Sequence, residues 1–231
     1  MAAIISIENV EREFGSGEKR VRVLKGIDLS IKQHTLVALK GRSGSGKTTL
    51  LNLIGALDQP SKGCIFFEET DIGQFSEKER TEFRRKRLGL IFQSFGLVPF
   101  MTVEENVEFG LRVAGTLREE WQTRIKDALE LVGLTKRAKH LPFELSGGEQ
   151  QRCAIARTIA SSPSVILADE PTAELDSKMA FHIIKQFKYL VDTKKTTIIM
   201  TTHDQDILDM MEHVFELEDG RIAHEKTEAF S

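Results

Sequence analysis

The stretch "TLVALKGRSGSGKTTLLNLIGAL", residues 35–57, sets a short β-branched run, a glycine cluster and a leucine-rich helix former end to end. Glycine is costly to order, so a cluster directly before a helix implies that the backbone closely approaches a partner there. Gly41-Arg42-Ser43-Gly44-Ser45-Gly46-Lys47-Thr48 follows the pattern G-x-x-x-x-G-K-[ST] between a strand and a helix, the P-loop pattern. Such glycines let backbone N–H groups turn inward around a phosphate. The helix beginning at Lys47 aims its unpaired N–H groups and its dipole at the same anion. Lys47 supplies a point charge for the β- and γ-phosphates of a nucleotide, and the Thr48 hydroxyl is a ligand for Mg²⁺. Thr49, on the first helical turn, is grouped with the nucleotide-binding residues.

A second element complements that cradle. "SVILAD", residues 164–169, is a continuous apolar strand that delivers Asp169 to the edge of a sheet, where a carboxylate can hold Mg²⁺ through water. Glu170 follows immediately, within reach of a water attacking the γ-phosphate. His203 lies just past "TTIIMTT", another buried strand, at the carboxyl edge where ligands bind in open α/β sheets.

The rest of the chain supports this architecture. "IISIENV" alternates as a strand, "VRVLKGIDLSI" reads as apolar with a turn inside it, and "GCIFF" and "RLGLIFQ" read as strands. Helical spacing runs from Lys47 to Leu57. Trp121, Ile125, Ala128, Leu129 and Val132 share one helical face, and Ala180, Ile183, Ile184, Phe187 and Val191 another. "VFELEDGRIAHE" predicts a hairpin with an Asp-Gly turn, and residues 225–231 a loose tail. Buried strands alternating with helices predict an α/β fold: a P-loop NTPase with a mainly parallel core sheet covered by helices.

Composition excludes other classes. The 231 residues carry a formal net charge of −3 with 29% charged side chains of both signs, so no nucleic-acid partner is expected. The basic run Arg84–Arg87 reads as a solvated helix edge, with docking to a partner or lipid headgroups as the alternative. Cys64 and Cys153 are too isolated for a disulfide framework, and a reducing cytosol is the expected setting. "MAAIISIENV" lacks the pattern of a signal peptide, and no run approaches the roughly 18–20 apolar residues that span a bilayer.

"LSGGEQQR", Leu145–Arg152, offers a second anion-binding helix start in Ser146, Gly147 and Gly148. With the P-loop, the "VILADE" strand and His203, this stretch makes the chain resemble the ATP-binding cassette (ABC) ATPases over nearly its whole length. The resemblance implies an N-terminal antiparallel β-subdomain and a helical subdomain, approximately residues 95–160, inserted in a single nucleotide-binding domain spanning 1–231. It implies that Ser146, Gly147, Gly148 and Glu149 contact ATP held by an opposite subunit, so that an ATP-bound homodimer forms. Gln93 in "IFQSFGL" resembles the family's glutamine that senses Mg²⁺ and faces the membrane subunit. Phe14 stands where an aromatic ring stacks on adenine. Glu170, His203, Lys47 and Gln93 are then the catalytic set, and Thr48, Gln93 and Asp169 the metal set. "TAELDS", residues 172–177, resembles the D-loop.

Longer matches, including "DIGQFSEKERTEFRRKRLGLIFQSFGLVPFMTVEENV", resemble the branch of macrolide exporters and lipoprotein-releasing complexes. That likeness implies an integral membrane permease with an extracytoplasmic domain as partner, and a location on the inner face of the cell membrane. The implied function is ATP-driven export or mechanotransmission of an antimicrobial peptide, macrolide or lipoprotein-like substrate. The alternative is an ATPase regulating a division or cell-wall hydrolysis complex without transport.

Overall fold

A computed structural model describes residues 3–227. The elements in chain order are β1 (Ala3–Phe14), β2 (Val21–Lys32), β3 (Leu36–Lys40), α1 (Lys47–Ile54), β4 (Lys62–Phe67), β5 (Thr70–Asp71), α2 (Glu77–Arg87) and β6 (Leu88–Ile91). Three helices follow, α3 (Val103–Ala114), α4 (Trp121–Leu131) and α5 (Gly147–Ile159). The chain closes with β7 (Val165–Ala168), α6 (Ser177–Lys194), β8 (Thr197–Thr201), α7 (Gln205–Leu208), β9 (His213–Glu218) and β10 (Arg221–Thr227).

The strands form two sheets. An antiparallel sheet has the order β2-β1-β4-β5, and a larger one the order β10-β9-β3-β8-β7-β6. In the larger sheet β9, β3, β8, β7 and β6 are mutually parallel, and β10 folds back antiparallel on β9. Successive residues of a strand point to opposite faces, and here each face meets its own core. Ala38, Ile166, Ala168, Ile198 and Met200 face a cluster with α3, α5 and α6. Val37, Leu39, Val165, Leu167 and Ile199 face α1 and the antiparallel sheet. That double burial is why the strands read as unbroken apolar runs. Cys153 lies in the first cluster, where burial pushes its thiol up to about 12. Both cysteines are free.

Most local expectations hold, with three differences. β2 is one continuous strand: where the sequence suggested a turn, Gly26 takes φ +86° at a register shift against β1, absorbing the irregularity as a bulge. Helix α1 stops at Ile54, because Gly55 caps it and Ala56 takes a left-handed φ of +49°. Glu225–Thr227 are not a tail but pair with β9, while residues 228–231 lie outside the described residues. The basic run on α2 is a helix edge as expected, threaded with the ion pairs Arg84–Glu77, Arg85–Glu82, Lys86–Glu82 and Arg87–Glu68. Its cations end the helix where the dipole favours them.

The two helical faces form as expected. Ala180, Ile183, Ile184, Phe187 and Val191 are all buried, and Trp121 packs against the core while its indole N–H donates to the Thr116 carbonyl at 3.0 Å. The hairpin turn has both central residues left-handed, Asp219 at φ +45° and Gly220 at +76°.

Candidate functional site

The carboxyl ends of four neighbouring parallel strands converge. β3 runs into the glycine loop, β8 into Thr201–His203, β7 into Asp169 and Glu170, and β6 into Gln93. They open on one cleft of about 790 Å³ lined by Gly41, Arg42, Ser43, Gly44, Gly46, Lys47, Thr48, Thr49, Gln93, Asp169, Glu170 and His203. Val23 of β2, which the sequence did not single out, completes the lining.

The loop fits a bound phosphate. Gly46 takes φ +105° as the residue before α1, and a Cβ there would sit 2.7 Å from Leu24 Cδ2. At Gly41 a Cβ would lie 2.4 Å from the Leu217 carbonyl oxygen and 2.5 Å from Ser45 Oγ. Helices α2, α3, α5, α6 and α7 each begin with a side-chain cap, whereas α1 and α4 have none; α4 continues from a 3-10 turn over Arg118–Glu120, while α1 follows the glycine loop. Its first N–H groups are therefore left to an outside acceptor. Lys47 is only 9% exposed, and its ammonium donates to two neutral carbonyls, Gly41 O at 2.8 Å and Arg42 O at 3.0 Å. A buried cation without a counter-charge is costly, and an anion in the cradle would supply one. Ser45 Oγ, also in the loop, is buried without a hydrogen-bond partner.

Carboxylates occupy the facing wall. Asp169 accepts from Thr48 Oγ1 at 2.9 Å and from Thr201 Oγ1 at 2.6 Å, so both its oxygens are oriented. Thr201 Oγ1 in turn accepts the Glu170 N–H at 2.8 Å. Thr201 thus fixes two acidic residues at once. Its only trace in the sequence is a polar ending to a buried strand. Glu170 holds a left-handed φ of +47°, a conformation that costs a non-glycine residue about 1–3 kcal/mol and that clusters at functional sites. Its Oε1 lies 3.4 Å from Nδ1 of the exposed His203. A hydroxyl, a carboxylate and, across the cleft, the Gln93 amide form an all-oxygen donor set. That set suits a hard cation such as Mg²⁺ and needs phosphate oxygens to complete it. No cluster of three or more His, Cys, Asp or Glu that could hold a metal alone occurs among the described residues.

Phe14, Ser146, Gly147, Gly148 and Glu149 do not line this cleft. Phe14 is exposed at the end of β1 with the Arg12 guanidinium 4.4 Å over its ring. Ser146 begins α5 in a reciprocal cap: its hydroxyl accepts the Glu149 N–H at 3.3 Å, and the Glu149 carboxylate accepts the Ser146 N–H at 2.9 Å. That backbone hydrogen bond, with help from Arg137, holds the Glu149 carboxyl below its ordinary range. The Glu149 side chain is therefore committed to the cap. The Ser146 hydroxyl and the N–H groups of Gly147 and Gly148 are what this end of α5 can offer a ligand. The start of α5 packs on the stretch "TAELDS", where a Cβ on Gly148 would meet Glu174 O at 3.0 Å.

Comparison with known proteins places this geometry in context. The family profile described as ABC transporter matches residues 24–173. The ABC transporter ATP-binding protein YtrE of Bacillus subtilis is 41% identical over 94% of this chain and 96% of its own length. The lipoprotein-releasing system ATP-binding protein LolD of Geobacter metallireducens is 38% identical over 96% of this chain and 99% of its own. Among solved structures, the dimeric post-hydrolysis state of the ATP-binding cassette MJ0796 of Methanocaldococcus jannaschii, bound to ADP and Pi, superposes with a TM-score of 0.92. It is 37% identical, covering 98% of this chain and 100% of that one.

Proposed function

The chain belongs to the ABC transporter family of ATP-hydrolysing cassettes, and from that premise we propose that it is a motor subunit that works as an ATP-clasped homodimer on a membrane permease. The observation that carries this reading is the buried, carboxylate-free Lys47 ammonium in the same cleft as the strained Glu170. One is a waiting phosphate site, the other a carboxylate held out of its relaxed backbone geometry.

In this reading the N–H groups of the loop Gly41–Gly46 and of Lys47, Thr48 and Thr49 bind the phosphates, with Arg42, Ser43 and Ser45 shaping the loop. Phe14 stacks on adenine. Thr48, Asp169 and Gln93 hold Mg²⁺, which when bound neutralises phosphate charge. Thr201 keeps the Asp169 carboxylate turned toward Thr48. Glu170 orients, or takes a proton from, the attacking water, and His203 holds the γ-phosphate. The partner subunit's Ser146 and its two following glycines reach the same phosphate. A second anion-binding helix start that one chain leaves outside its own cleft supports this pairing, as does the dimeric state named for MJ0796. Gain and loss of the γ-phosphate contacts close and reopen the dimer, a two-state element biased by its ligand.

The permease side rests on exposed apolar side chains. Phe92, Phe100, Phe109 and Val113 are exposed beside the Gln93 segment, and a shallow groove of about 190 Å³ runs between Leu90, Phe109 and Val113. Such a patch suits a short helix of a membrane subunit. No helix of the described residues is long and apolar enough to cross a membrane, so the permease supplies attachment to the inner face of the cell membrane. Likeness to the lipoprotein-releasing ATPase supports export or mechanical transmission to a lipoprotein-like, macrolide or antimicrobial-peptide substrate through an extracytoplasmic domain of that permease.

Glu170→Gln tests the reading. Removing a well-placed polar catalytic group costs about 10²–10³ in turnover, so this variant should bind ATP normally, hydrolyse it slowly and sediment as a dimer with ATP. Normal turnover, or a strictly monomeric ATP-loaded variant, overturns it.

A further inference from the structure

Two adjacent residues of α5 grip the segment carrying Gln93 from opposite ends. On the N-terminal side, Thr158 Oγ1 donates to the Leu90 carbonyl at 3.1 Å, sharing its proton with Ala154 O one turn back. On the C-terminal side, the Arg157 guanidinium donates to the carbonyls of Phe95, at 2.9 Å, and Gly96. Phe95 and Gly96 are successive left-handed residues, at φ +56° and +58°, so the chain reverses there and the two carbonyls meet the guanidinium fork. Thr158 is buried and Arg157 half-buried. Among the described residues Arg157 pairs with no carboxylate: its acceptors are the two loop carbonyls, and desolvation pulls its pKa below the ordinary arginine value. Gly110 of α3 makes room, because a Cβ there would lie 2.7 Å from Arg157 Cγ and 2.8 Å from its carbonyl oxygen.

The same helix begins at Ser146. Eleven residues of α-helix separate Ser146 from Arg157, a rod of about 16 Å. One end of the rod carries the groups that reach a partner's nucleotide, and the other clasps the loop whose glutamine lines the chain's own cleft. We propose that Arg157, assisted by Thr158, is a positioning residue that sets Gln93 in the cleft according to where α5 sits, so that each site of the dimer registers the other. A planar fork suits this role: it binds two carbonyls at once and stays charged when desolvated, whereas a lysine ammonium offers one point contact.

This inference rests on the dimeric ATPase reading, and a double-mutant cycle separates the two. Turnover, ATP affinity and thermal unfolding are measured for the wild type, Arg157→Lys, Gln93→Ala and the double variant. If Arg157 acts through Gln93, Arg157→Lys lowers kcat about tenfold in the wild-type background but less than about twofold on Gln93→Ala, because the two residues share one function. ATP affinity stays within about twofold, since the phosphate loop is untouched. Equal losses in both backgrounds would show a merely structural contact and overturn the proposal. Should Arg157→Lys not fold, Thr158→Val is taken through the same cycle with the same criterion. A wild type that neither hydrolyses ATP nor pairs with it removes the reading itself, and the inference with it. An active wild type with an additive cycle removes only the inference.

Discussion

Lys47 shows what a single side chain can carry. Its ammonium is buried, bonded to the carbonyls of its own loop, and in no ion pair with a carboxylate among the described residues. In the free protein it is a cost, and with a triphosphate it is a charge-assisted contact. Lys47→Ala should therefore weaken ATP binding by about 1.5–3 kcal/mol, roughly tenfold or more, without lowering the melting temperature of the nucleotide-free protein. Titration with a fluorescent nucleotide and unfolding of the apo variant check both halves. Unchanged affinity would count against the cradle. Glu170 is the complementary case. Its acidity and its place after "VILAD" were legible in the sequence, but its left-handed backbone was not, because nothing local demands that conformation. The Thr201 hydroxyl, 31 positions away, receives its N–H.

Among the elements, α2, α3 and α5 start with the same device: Ser76 with Glu79, Thr102 with Glu105, and Ser146 with Glu149, each hydroxyl and carboxylate serving the other's N–H. All three are visible in the sequence as S/T-x-x-E. Helix α1 has no such cap and follows the glycine loop directly, so its first N–H groups have no side-chain acceptor. The crossing of α3 over α5 depends on Gly110, which sits in the middle of a helix where glycine is otherwise unfavourable. A methyl group added there would press on backbone as well as on the Arg157 side chain. Gly110→Ala should thus destabilise by about 1–3 kcal/mol despite its better helix propensity. Urea unfolding measures it, and a stabilised variant would mean that the helices can separate freely. Propensity alone would have given the opposite sign.

At the scale of the whole molecule, two apolar clusters lie on opposite faces of one parallel sheet, and the site sits at that sheet's carboxyl edge. Strands fixed on both faces hold the loops at their ends to a common geometry, so a ligand there acts on the stability of the entire fold. A nucleotide at about 100 times its dissociation constant stabilises the folded state by about 2.7 kcal/mol. In a domain of this size that corresponds to roughly 5–10 °C in melting temperature. Glu170→Gln with Mg²⁺ and ATP should show such a rise, and excess EDTA should reverse most of it. An EDTA-insensitive shift would argue against Thr48, Asp169 and Gln93 as metal holders.

Sequence by itself determined the phosphate loop, the two buried strands that end in Asp169 and near His203, and the capped helix starts. Each depends on residue types at fixed local spacing, and local backbone geometry follows from those alone. Tertiary structure decided the rest. It brought Thr201 under both Asp169 and Glu170, left Ser146 outside its own chain's cleft and set Arg157 and Thr158 around the segment carrying Gln93. These contacts join residues 31 to 68 positions apart, and they depend on strand order in the sheet and on helix crossings. No local pattern encodes such relations, because they arise only when both faces of the sheet are buried at once.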